Sequence, residues 1–266
     1  MQTNRLKYSI EEIEQFGKYY QDGHSIKDTA EKFGINYHTL KQYLIKFNYR
    51  SPSKKLSNQR VPENHYFDKI DTPEKAYFLG YWYSDGYISK TAYGTNVGIG
   101  LQLQDRYIID KLCEEMKIPN SIGIYKNSAK IQYTDRRTYE NLVKFGVQEN
   151  KSHKDFKFPN IPDELMNSFI LGYFDGDGCI TIKSTGYSVV SICCNSKVFL
   201  ESIKSWLDNK NIQTRPINTE RSSRKNDLYI LYLSGRENQL RFFDLIYKDC
   251  SIYLSRKHDK FMQIPR

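Results

Sequence analysis

Apolar residues recur at steps of three and four near the start of the chain, and this spacing predicts three helices. The first is predicted over 10–22, the second over 25–33 and the third over 37–47. Gly34 can end the second helix, and Asn36 can cap the third. This part of the chain is therefore expected to fold as a small all-α domain.

Two helices joined by a short turn are typical of a helix-turn-helix, whose second helix enters the major groove of DNA. We predict such a domain over 1–50. Six basic residues and no acid lie between Asn36 and Arg60, and a run of one charge is common in nucleic-acid binding segments. An ordinary helical bundle without a ligand is the alternative. The residues of the third helix expected to meet base edges are Tyr37, His38, Lys41 and Gln42.

Residues 51–66 are polar, contain two prolines and show no hydrophobic periodicity, so a basic linker is predicted there. Lys54, Lys55 and Arg60 can follow DNA phosphates from this segment. A solvated tether with no nucleic-acid contact is equally open.

From residue 67 onward, the pattern of apolar positions repeats one order of elements. Each repeat consists of a helix, two strands, a helix, two strands and a final helix, which predicts a duplicated α+β fold with halves at 67–158 and 159–266. After the opening helix, the first half has predicted strands at 87–91 and 96–103, a helix at 106–116, a hairpin at 121–133 and a helix at 136–145. The second half has predicted strands at 179–183 and 187–194, a helix at 197–209, strands at 212–218 and 228–233, and a helix at 237–247.

The opening helix of each half carries the same short motif, "AYFLGYWYSDGYI" from Ala76 and "SFILGYFDGDGCI" from Ser168. Small residues recur at steps of four in both motifs, and small residues on one face let two helix backbones approach closely. We therefore predict that the two helices pack against each other along a pseudo-twofold axis. The small residues are Ala76, Gly80 and Ser84 in the first motif, and Ser168, Gly172 and Gly176 in the second.

Asp85 and Asp177 stand at equivalent positions at the ends of these two helices. A carboxylate is disfavoured at the negative end of a helix dipole, and two neighbouring carboxylates repel each other. A divalent cation removes both penalties, and oxygen ligands suit Mg²⁺. Asp-Gly is often only a turn signal. Because both acids lie at paired helix ends, we predict that they bind metal.

The composition is typical of a basic, soluble protein. Of 266 residues, 39% are hydrophobic and 27% charged, with a net charge of +9, which favours a polyanionic partner. The five cysteines lack the spacing of a zinc site, and no apolar run is long enough to span a membrane. Without a signal peptide, a cytoplasmic location in a bacterial or phage-infected host cell is expected.

The segments "FLGYWYSDG" and "ILGYFDGDG" resemble the two signature motifs of single-chain LAGLIDADG homing endonucleases. The first copy departs from the family motif at Tyr83, where the second copy has Asp175. Both copies keep the acid that binds metal in the family, Asp85 and Asp177. The resemblance covers about 200 residues. The N-terminal helix-turn-helix resembles DNA-binding modules attached to phage and bacterial members.

The resemblance implies a saddle of two antiparallel sheets over the major groove, with the acids at the scissile phosphates. Lys151 and Lys257 each follow the last helix of a half, where the family commonly has an active-site lysine; a surface lysine is the alternative. Polar strand residues can read bases or hold phosphates, although a solvated sheet face would also be polar. These residues are Lys90, Gln102, Gln104, Lys126, Lys130, Gln132, Lys183, Arg215, Arg221, Arg224 and Lys225.

The activity implied is metal-assisted hydrolysis of both strands of double-stranded DNA at a long target site, leaving short 3′ overhangs, with Mg²⁺ as cofactor and Mn²⁺ able to substitute. A monomer is expected, because one chain carries both halves. The main alternative is a non-cleaving protein of the same fold, either an intron maturase that binds intron RNA or a transcription regulator. An intein remnant is disfavoured, because no Cys or Ser follows Met1 and the chain ends "FMQIPR" without His-Asn.

Overall fold

The computed structural model describes residues 7–22, 24–49, 64–91, 94–120, 122–151, 155–220 and 227–265. The chain divides into two compact units, Met1–Gln59 and Arg60–Arg266. Most of the predicted linker lies outside the described residues, and so do several predicted nucleic-acid contacts: Lys54, Lys55, Arg60, Arg221, Arg224 and Lys225.

The first unit contains the helices that its sequence predicts. They are α1 (Ile10–Gln21), α2 (Ile26–Phe33) and α3 (Tyr37–Lys46). Gly34 ends α2 in the left-handed conformation with φ of 61°, and the side chain of Asn36 caps α3. The helices enclose a core of Ile13, Phe16, Ala30, Ile35, Leu40 and Leu44. The helical fold is as predicted, and its DNA-binding role stays a prediction.

The second unit is a duplicated α+β structure, as predicted. Its first half contains α4 (Pro73–Ser84), β1 (Gly86–Thr91), β2 (Gly94–Gln102), α5 (Arg106–Met116), β3 (Gly123–Tyr125), β4 (Ser128–Tyr133) and α6 (Arg136–Lys144). Its four described strands form an antiparallel sheet in the order β1-β2-β4-β3.

The second half contains α7 (Met166–Asp177), β5 (Gly178–Ile182), β6 (Ser188–Cys194), α8 (Lys197–Asn209), β7 (Asn218–Glu220), β8 (Leu228–Tyr232), α9 (Gly235–Tyr247) and α10 (Ser255–Met262). Its described strands repeat the topology of the first half in the order β5-β6-β8-β7. No helix among the described residues of the chain combines the length and apolar character that crossing a membrane requires.

Two elements of the second half differ from the prediction. The predicted strand at 212–218 is wrong over most of its length, since β7 begins only at Asn218, and Thr214 makes a single bridge to Leu233. Pro216 has no N–H to donate, which prevents a continuous ladder in this segment. The helix α10 was not predicted, because its sequence "SRKHDKFM" is mostly polar and its buried face consists of Lys257 and Phe261.

The motif helices α4 and α7 pack with their backbones in contact, as their small residues predict. A Cβ atom on Gly80 would lie 2.0 Å from the carbonyl oxygen of Phe169, and one on Gly172 would lie 1.9 Å from that of Tyr77. Tyr77 and Phe169 occupy equivalent positions in the two motifs. The two contacts are therefore related by the expected pseudo-twofold axis.

Candidate active site at the paired helix ends

The close packing of α4 and α7 brings the two motif acids together. Asp85 is the first residue after α4, and Asp177 is the last residue of α7. A Cβ atom on Gly176 would lie 3.3 Å from Oδ2 of Asp85, so this carboxylate lies against the last turn of the opposite helix. The geometry agrees with the prediction that packing of the helices would pair the acids.

Both carboxyl groups lie where ionisation is disfavoured. Burial and, to a smaller extent, the neighbouring charge of Asp85 raise the pKa of Asp177 to about 6, while Lys151 opposes the shift. Asp85 keeps an exposed edge, yet loss of water on its inner side raises its pKa, against the charges of Lys151 and Lys257. Among the described residues, no salt bridge includes either carboxylate. A cation placed between them would relieve both penalties.

The predicted lysine of the first half binds the end of its motif helix. Nζ of Lys151 donates to the carbonyl oxygens of Trp82 at 2.9 Å and Gly86 at 2.6 Å, and also to that of Ser84. The last carbonyls of a helix have no N–H partners within it and carry the negative end of its dipole. The ammonium group of Lys151 therefore satisfies these carbonyls and neutralises the helix end beside Asp85.

The lysine of the second half repeats this arrangement. Nζ of Lys257 donates to the carbonyl oxygens of Phe174 at 2.6 Å, Asp175 at 2.7 Å and Gly178 at 2.6 Å, with a longer contact to Gly176 at 3.4 Å. Phe174, Gly176 and Gly178 are the counterparts of the three residues that Lys151 contacts in the first motif. The lysines are thus related by the same pseudo-twofold axis as the acids.

Burial lowers the pKa of Lys151 and of Lys257 to about 8 each, with the nearby acids opposing the shift. Lys257 is only 5% exposed, which separates it from an ordinary surface lysine. Each ammonium group bonds to carbonyl oxygens rather than to a carboxylate, while its charge still favours ionisation of the acids. The sequence could not predict these backbone contacts, since they join segments far apart in the chain.

The motif position that differs between the copies has a structural role in both. Asp175 is 1% exposed, and its Oδ2 accepts hydrogen bonds from the Tyr77 hydroxyl at 2.9 Å and the Leu254 N–H at 2.8 Å. Tyr83, its counterpart, donates to the carbonyl oxygen of Phe145 at 2.7 Å. Each residue fixes its motif helix to the segment that leads to the lysine of its half. The asymmetry therefore leaves the paired acids unaffected.

A cavity of about 130 Å³ lies beside Asp177. Its wall combines charged, hydroxyl and aromatic groups: Tyr83, Ser84, Lys151, Phe156, Tyr173, Asp177, Cys194 and Asn195. A cavity of this size holds several water molecules. The site thus places an acidic group, a lysine and solvent next to one another.

Each sheet turns one face towards the helices and the other away from them. We call the face turned away the outer face. In the first sheet it consists of Tyr87, Ser89, Asn96, Gly98, Gly100, Gln102, Gly123, Tyr125, Ser128, Lys130 and Gln132. In the second sheet it consists of Cys179, Thr181, Val189, Ser191, Cys193, Asn218, Glu220, Leu228, Ile230 and Tyr232.

Three of the predicted strand contacts, Gln102, Lys130 and Gln132, lie on the outer face of the first sheet. Lys90 lies on the opposite face, in line with the buried Ile88. The two remaining predicted contacts of this half lie outside the strands.

Gln104 lies in a short helical segment after β2 and donates to Oε1 of Gln102 at 2.7 Å. Lys126 occupies the turn between β3 and β4 with φ of 52°. In the second half, Lys183 and Arg215 flank the ring of Tyr187: Nζ of Lys183 is 5.6 Å from the ring centroid, and Nη2 of Arg215 is 3.2 Å from the hydroxyl.

Two further surface residues were missed by the sequence analysis. Tyr87 lies across Gly98, donates to Oε1 of Gln132 at 2.5 Å and has Nζ of Lys130 4.6 Å from its ring centroid. It therefore holds two predicted contacts in place. The signal for it is an aromatic residue immediately after the motif Asp-Gly.

The other is Ile45, which is 70% exposed on α3. Its spacing of four from Lys41 puts it on the face that also carries the predicted base-reading residues of this helix, all of which are exposed: Tyr37, His38, Lys41 and Gln42. Tyr37, which is 41% exposed, lies on the same face, so the two residues form a small exposed apolar patch.

The donor set fits a metal that completes its shell with other ligands. No group of three or more His, Cys, Asp or Glu side chains able to hold a metal ion occurs among the described residues. Two carboxylates of raised pKa suit Mg²⁺, which usually keeps several waters and takes one or two protein carboxylates together with substrate phosphates. The described residues therefore do not form a metal site in which protein side chains supply every ligand.

Comparison with known proteins finds a family model that matches part of this chain. Residues 164–247 match the family model of the LAGLIDADG-like domain. Probable translation initiation factor IF-2 of Methanocaldococcus jannaschii is 28% identical over 208 residues, which cover 70% of this chain and 16% of that protein. Elongation factor 2 of Methanopyrus kandleri is 26% identical over 245 residues, covering 87% of this chain and 17% of that protein. The chain thus spans about one sixth of the length of these relatives.

Solved structures share the fold. A mesophilic variant of the homing endonuclease I-DmoI aligns with a TM-score of 0.51 at 18% identity, covering 71% of this chain and 97% of that one. An I-DmoI variant in complex with its target DNA in the presence of Mn aligns with a TM-score of 0.50 at 16% identity, covering 66% and 95%. The LAGLIDADG meganuclease I-AabMI bound to uncleaved DNA gives a TM-score of 0.49 at 15% identity, covering 72% and 88%. This chain therefore contains a LAGLIDADG-like domain in its second half and has the fold of the LAGLIDADG homing endonucleases.

Proposed function

We propose that this protein is a site-specific endonuclease that hydrolyses both strands of double-stranded DNA with the help of a divalent metal ion. The observation that carries the proposal is the pair of acids, Asp85 and Asp177, at twofold-related helix ends. Both have raised pKa values, and each stands beside a helix end neutralised by a buried lysine. A chain selected only for stability gains nothing from this arrangement.

Asp85 and Asp177 are the residues that would hold the metal. Bound Mg²⁺, or Mn²⁺ in its place, supplies activation of water and neutralisation of charge on the phosphate oxygens. The I-DmoI variant solved in complex with its target DNA in the presence of Mn supports this choice of cofactor. The raised pKa of Asp177, about 6, leaves this carboxylate ionised at neutral pH and ready to bind a cation.

The lysines make this site possible by acting on the helix ends. Lys151 and Lys257 compensate the negative dipole ends of α4 and α7, and their charges favour the ionised acids. Because bonds to carbonyls immobilise each Nζ, the ammonium groups stay beside the acids without closing an ion pair. They contribute a fixed positive potential where a phosphate group would gain negative charge.

The duplication explains cleavage of two strands. A duplex has approximate twofold symmetry, and a pseudo-twofold protein presents one acid to each strand. We infer that one chain suffices and that the enzyme works as a monomer, leaving short 3′ overhangs. The outer faces of the two sheets would lie in the major groove, and the net charge of +9 favours binding to the phosphate backbone.

The helix-turn-helix unit would extend contact with DNA beyond the cleavage site. Tyr37, His38, Lys41 and Gln42 lie exposed on one face of α3, with Ile45 beside them. Such a face suits insertion into a major groove.

The proposal is tested by incubating the full chain with a randomised duplex library in Mg²⁺ or in EDTA and sequencing the ends. The double variant Asp85→Asn/Asp177→Asn serves as the control. Metal-dependent cuts at one long motif, absent for the variant, are the expected result. If a motif is enriched by binding but never cut, the protein is a non-cleaving binder of this fold, and intron RNA becomes the next ligand to test.

A further inference from the structure

The outer faces of the two sheets can be compared position by position. Gly86, which follows the first motif acid, pairs with Ile99 on β2, and Gly178, which follows the second, pairs with Ile192 on β6. These pairs set the same register in both halves. Each residue of the first outer face except Gln102 therefore has a counterpart on the second.

Counterparts on β2 and β4 of the first sheet and on β6 and β8 of the second differ in chemistry. Gly98 and Gly100 of the first sheet pair with Gln132 and Lys130, whereas their counterparts in the second sheet, Ser191 and Cys193, pair with Tyr232 and Ile230. The same register matches further hydrogen-bonding residues of the first sheet with apolar ones in the second. The replacements are Asn96 by Val189, Ser128 by Leu228, Lys130 by Ile230 and Gln132 by Tyr232. At the edge strands the difference is reversed, since Gly123 and Tyr125 correspond to Asn218 and Glu220.

This apolar surface is separate from the core. Ile230 is 8% exposed, yet it does not belong to the main core cluster, which takes its neighbour Leu231 from the opposite face of β8. Val189, Cys193 and Tyr232 are half-buried on the same side. Helix α8 packs on the other side of the sheet through Leu200 and related residues. In the described part of the chain, Val189, Cys193 and Tyr232 thus face outward and half-buried, with Ile230 buried beside them.

Cations flank one end of this apolar strip, and they suit an anionic occupant there. Lys183 and Arg215 lie at the end of the β5–β6 hairpin around Tyr187, and both are exposed. Two exposed acids lie beside Leu228: Glu220, which pairs with it on the same face, and Asp227, which precedes it in the chain. Cations at the rim suit DNA phosphates, and the apolar feature that a base pair presents in the major groove is the thymine C5-methyl group.

We propose that the outer face of the second sheet recognises thymine methyl groups in one half of the DNA target, whereas that of the first sheet reads the other half by hydrogen bonds. The proposal rests on the proposed function to the extent that the ligand is duplex DNA. It assigns specificity roles to Val189, Ile230 and Tyr232. It also predicts that the two halves of the target differ in base composition. The half read by the second sheet should be rich in thymine at the contacted positions.

The test uses the full chain and the duplex selected from the randomised library. In each half of that duplex, all thymines are replaced by deoxyuridine, which removes only the methyl groups. Binding is measured in EDTA, so that no strand is cut. In the half read by the second sheet, each contacted methyl that is lost should weaken binding about fourfold. In the other half, the change should stay below about twofold.

Variants of the protein show which half of the DNA target each sheet reads. Ile230→Lys installs the residue of the first sheet at the matched position, and Val189→Asn does the same at a second position. Both should change base preference in the deoxyuridine-sensitive half alone. The matched control is Val198→Lys, which adds the same charge to the same half on α8, where Val198 is 39% exposed. If Ile230→Lys fails to fold, Val189→Asn still decides the assignment.

Three results would overturn the proposal. Equal sensitivity of both halves to deoxyuridine, or unchanged base preference in Val189→Asn, means that the strip does not read methyl groups. Dimerisation that is lost in Ile230→Lys, with DNA binding unaffected, means that the strip is covered by a second copy of the chain. Failure of the protein to bind any duplex overturns both this inference and the proposed function, whereas binding without methyl dependence overturns this inference alone.

Discussion

The carboxyl group of Asp177 lies where ionisation costs folding free energy. Its pKa is raised to about 6 by burial and then by Asp85, so the folded chain holds this proton more tightly than the unfolded chain does. The free energy of unfolding should therefore fall as pH rises from about 4 to about 6, and it should stay low above that range. The metal-free protein carries this cost at neutral pH.

We expect Asp177→Asn to stabilise the metal-free protein. In EDTA at pH 8, its free energy of unfolding should exceed that of the natural chain by about 1 kcal/mol, because the buried charge is gone. The gain should shrink at pH 5. Urea unfolding at both pH values measures the effect, and Asp163→Asn, an exposed acid of the same half, is the control. A variant that is less stable at pH 8 would show that the environment of Asp177 favours its charge.

Lys257 should be required both for stability and for cleavage. Lys257→Met keeps the length of the side chain but leaves the carbonyls at the end of α7 without their donor, which should lower the free energy of unfolding by about 2 kcal/mol. Lys248→Met, at an exposed position, should have little effect. Chemical unfolding measures both, and equal stabilities would contradict the proposed role of the lysine.

This lysine and Lys151 together set the expected alkaline limit of activity. Burial lowers the pKa of each to about 8, so the folded chain loses these protons well below the usual range of a lysine. The neutral amine has one donor fewer and no charge to favour ionised acids. The single-turnover cleavage rate should therefore decline above about pH 8. A rate that stays level to pH 10 would mean that the ammonium charge is dispensable.

The packing of α4 against α7 depends on glycine at two related positions. A Cβ atom on Gly80 or Gly172 would meet a carbonyl oxygen of the facing helix at 2.0 Å or less. We expect Gly80→Ala and Gly172→Ala each to cost about 3 kcal/mol of folding free energy, because the helix backbones must separate.

Gly100→Ala is the matched control. A Cβ atom on Gly100 meets only Cγ of Lys130, at 3.9 Å, so this change should cost far less. Thermal unfolding in EDTA compares the three variants. If Gly172→Ala is as stable as Gly100→Ala, the helices do not pack as closely as the structure shows.

The helices, their packing and the pairing of the acids could be predicted because a repeated local pattern encodes them. Gly80 and Gly172 recur in one motif, and each motif ends in an acid. Other elements depend on distant contacts. Helix α10 forms because Lys257 and Phe261 are buried, a fact that its polar sequence does not reveal.

The surfaces were harder to predict than the helices. A basic residue in a strand can lie on either face, and one residue of register decides which. Lys90 is in line with Ile88, while Lys130 lies outward. The contrast between Lys130 and Ile230 appears only once the strand pairs are known. The sequence alone therefore predicted the residues of the candidate active site better than it predicted the DNA contacts.

The division of the chain into two units predicts separable contributions to DNA binding. A fragment that begins at Arg60 contains the whole second unit and its paired acids. It should fold and cleave the same motif, but it should bind more weakly and with a smaller dependence of affinity on salt, because the cations of the first unit are gone.

The DNA affinities of the fragment and of the full chain, measured across a range of salt concentrations, give the contribution of the first unit. The variant Lys41→Ala/Gln42→Ala in the full chain should reproduce part of the loss in affinity without removing the unit. If the fragment and the full chain have equal affinities and equal salt dependence, the first unit does not bind DNA.

The pairing of the acids at a pseudo-twofold axis is the central feature of this protein, and single-turnover cleavage of the selected duplex tests it most directly. Asp85→Asn and Asp177→Asn are compared with the natural chain in Mg²⁺, with binding measured in EDTA. We predict that each variant binds within about threefold of the natural affinity and loses more than about a thousandfold in the rate of double-strand cleavage. Cleavage at a near-natural rate by either variant would contradict the assignment of that acid to the active site.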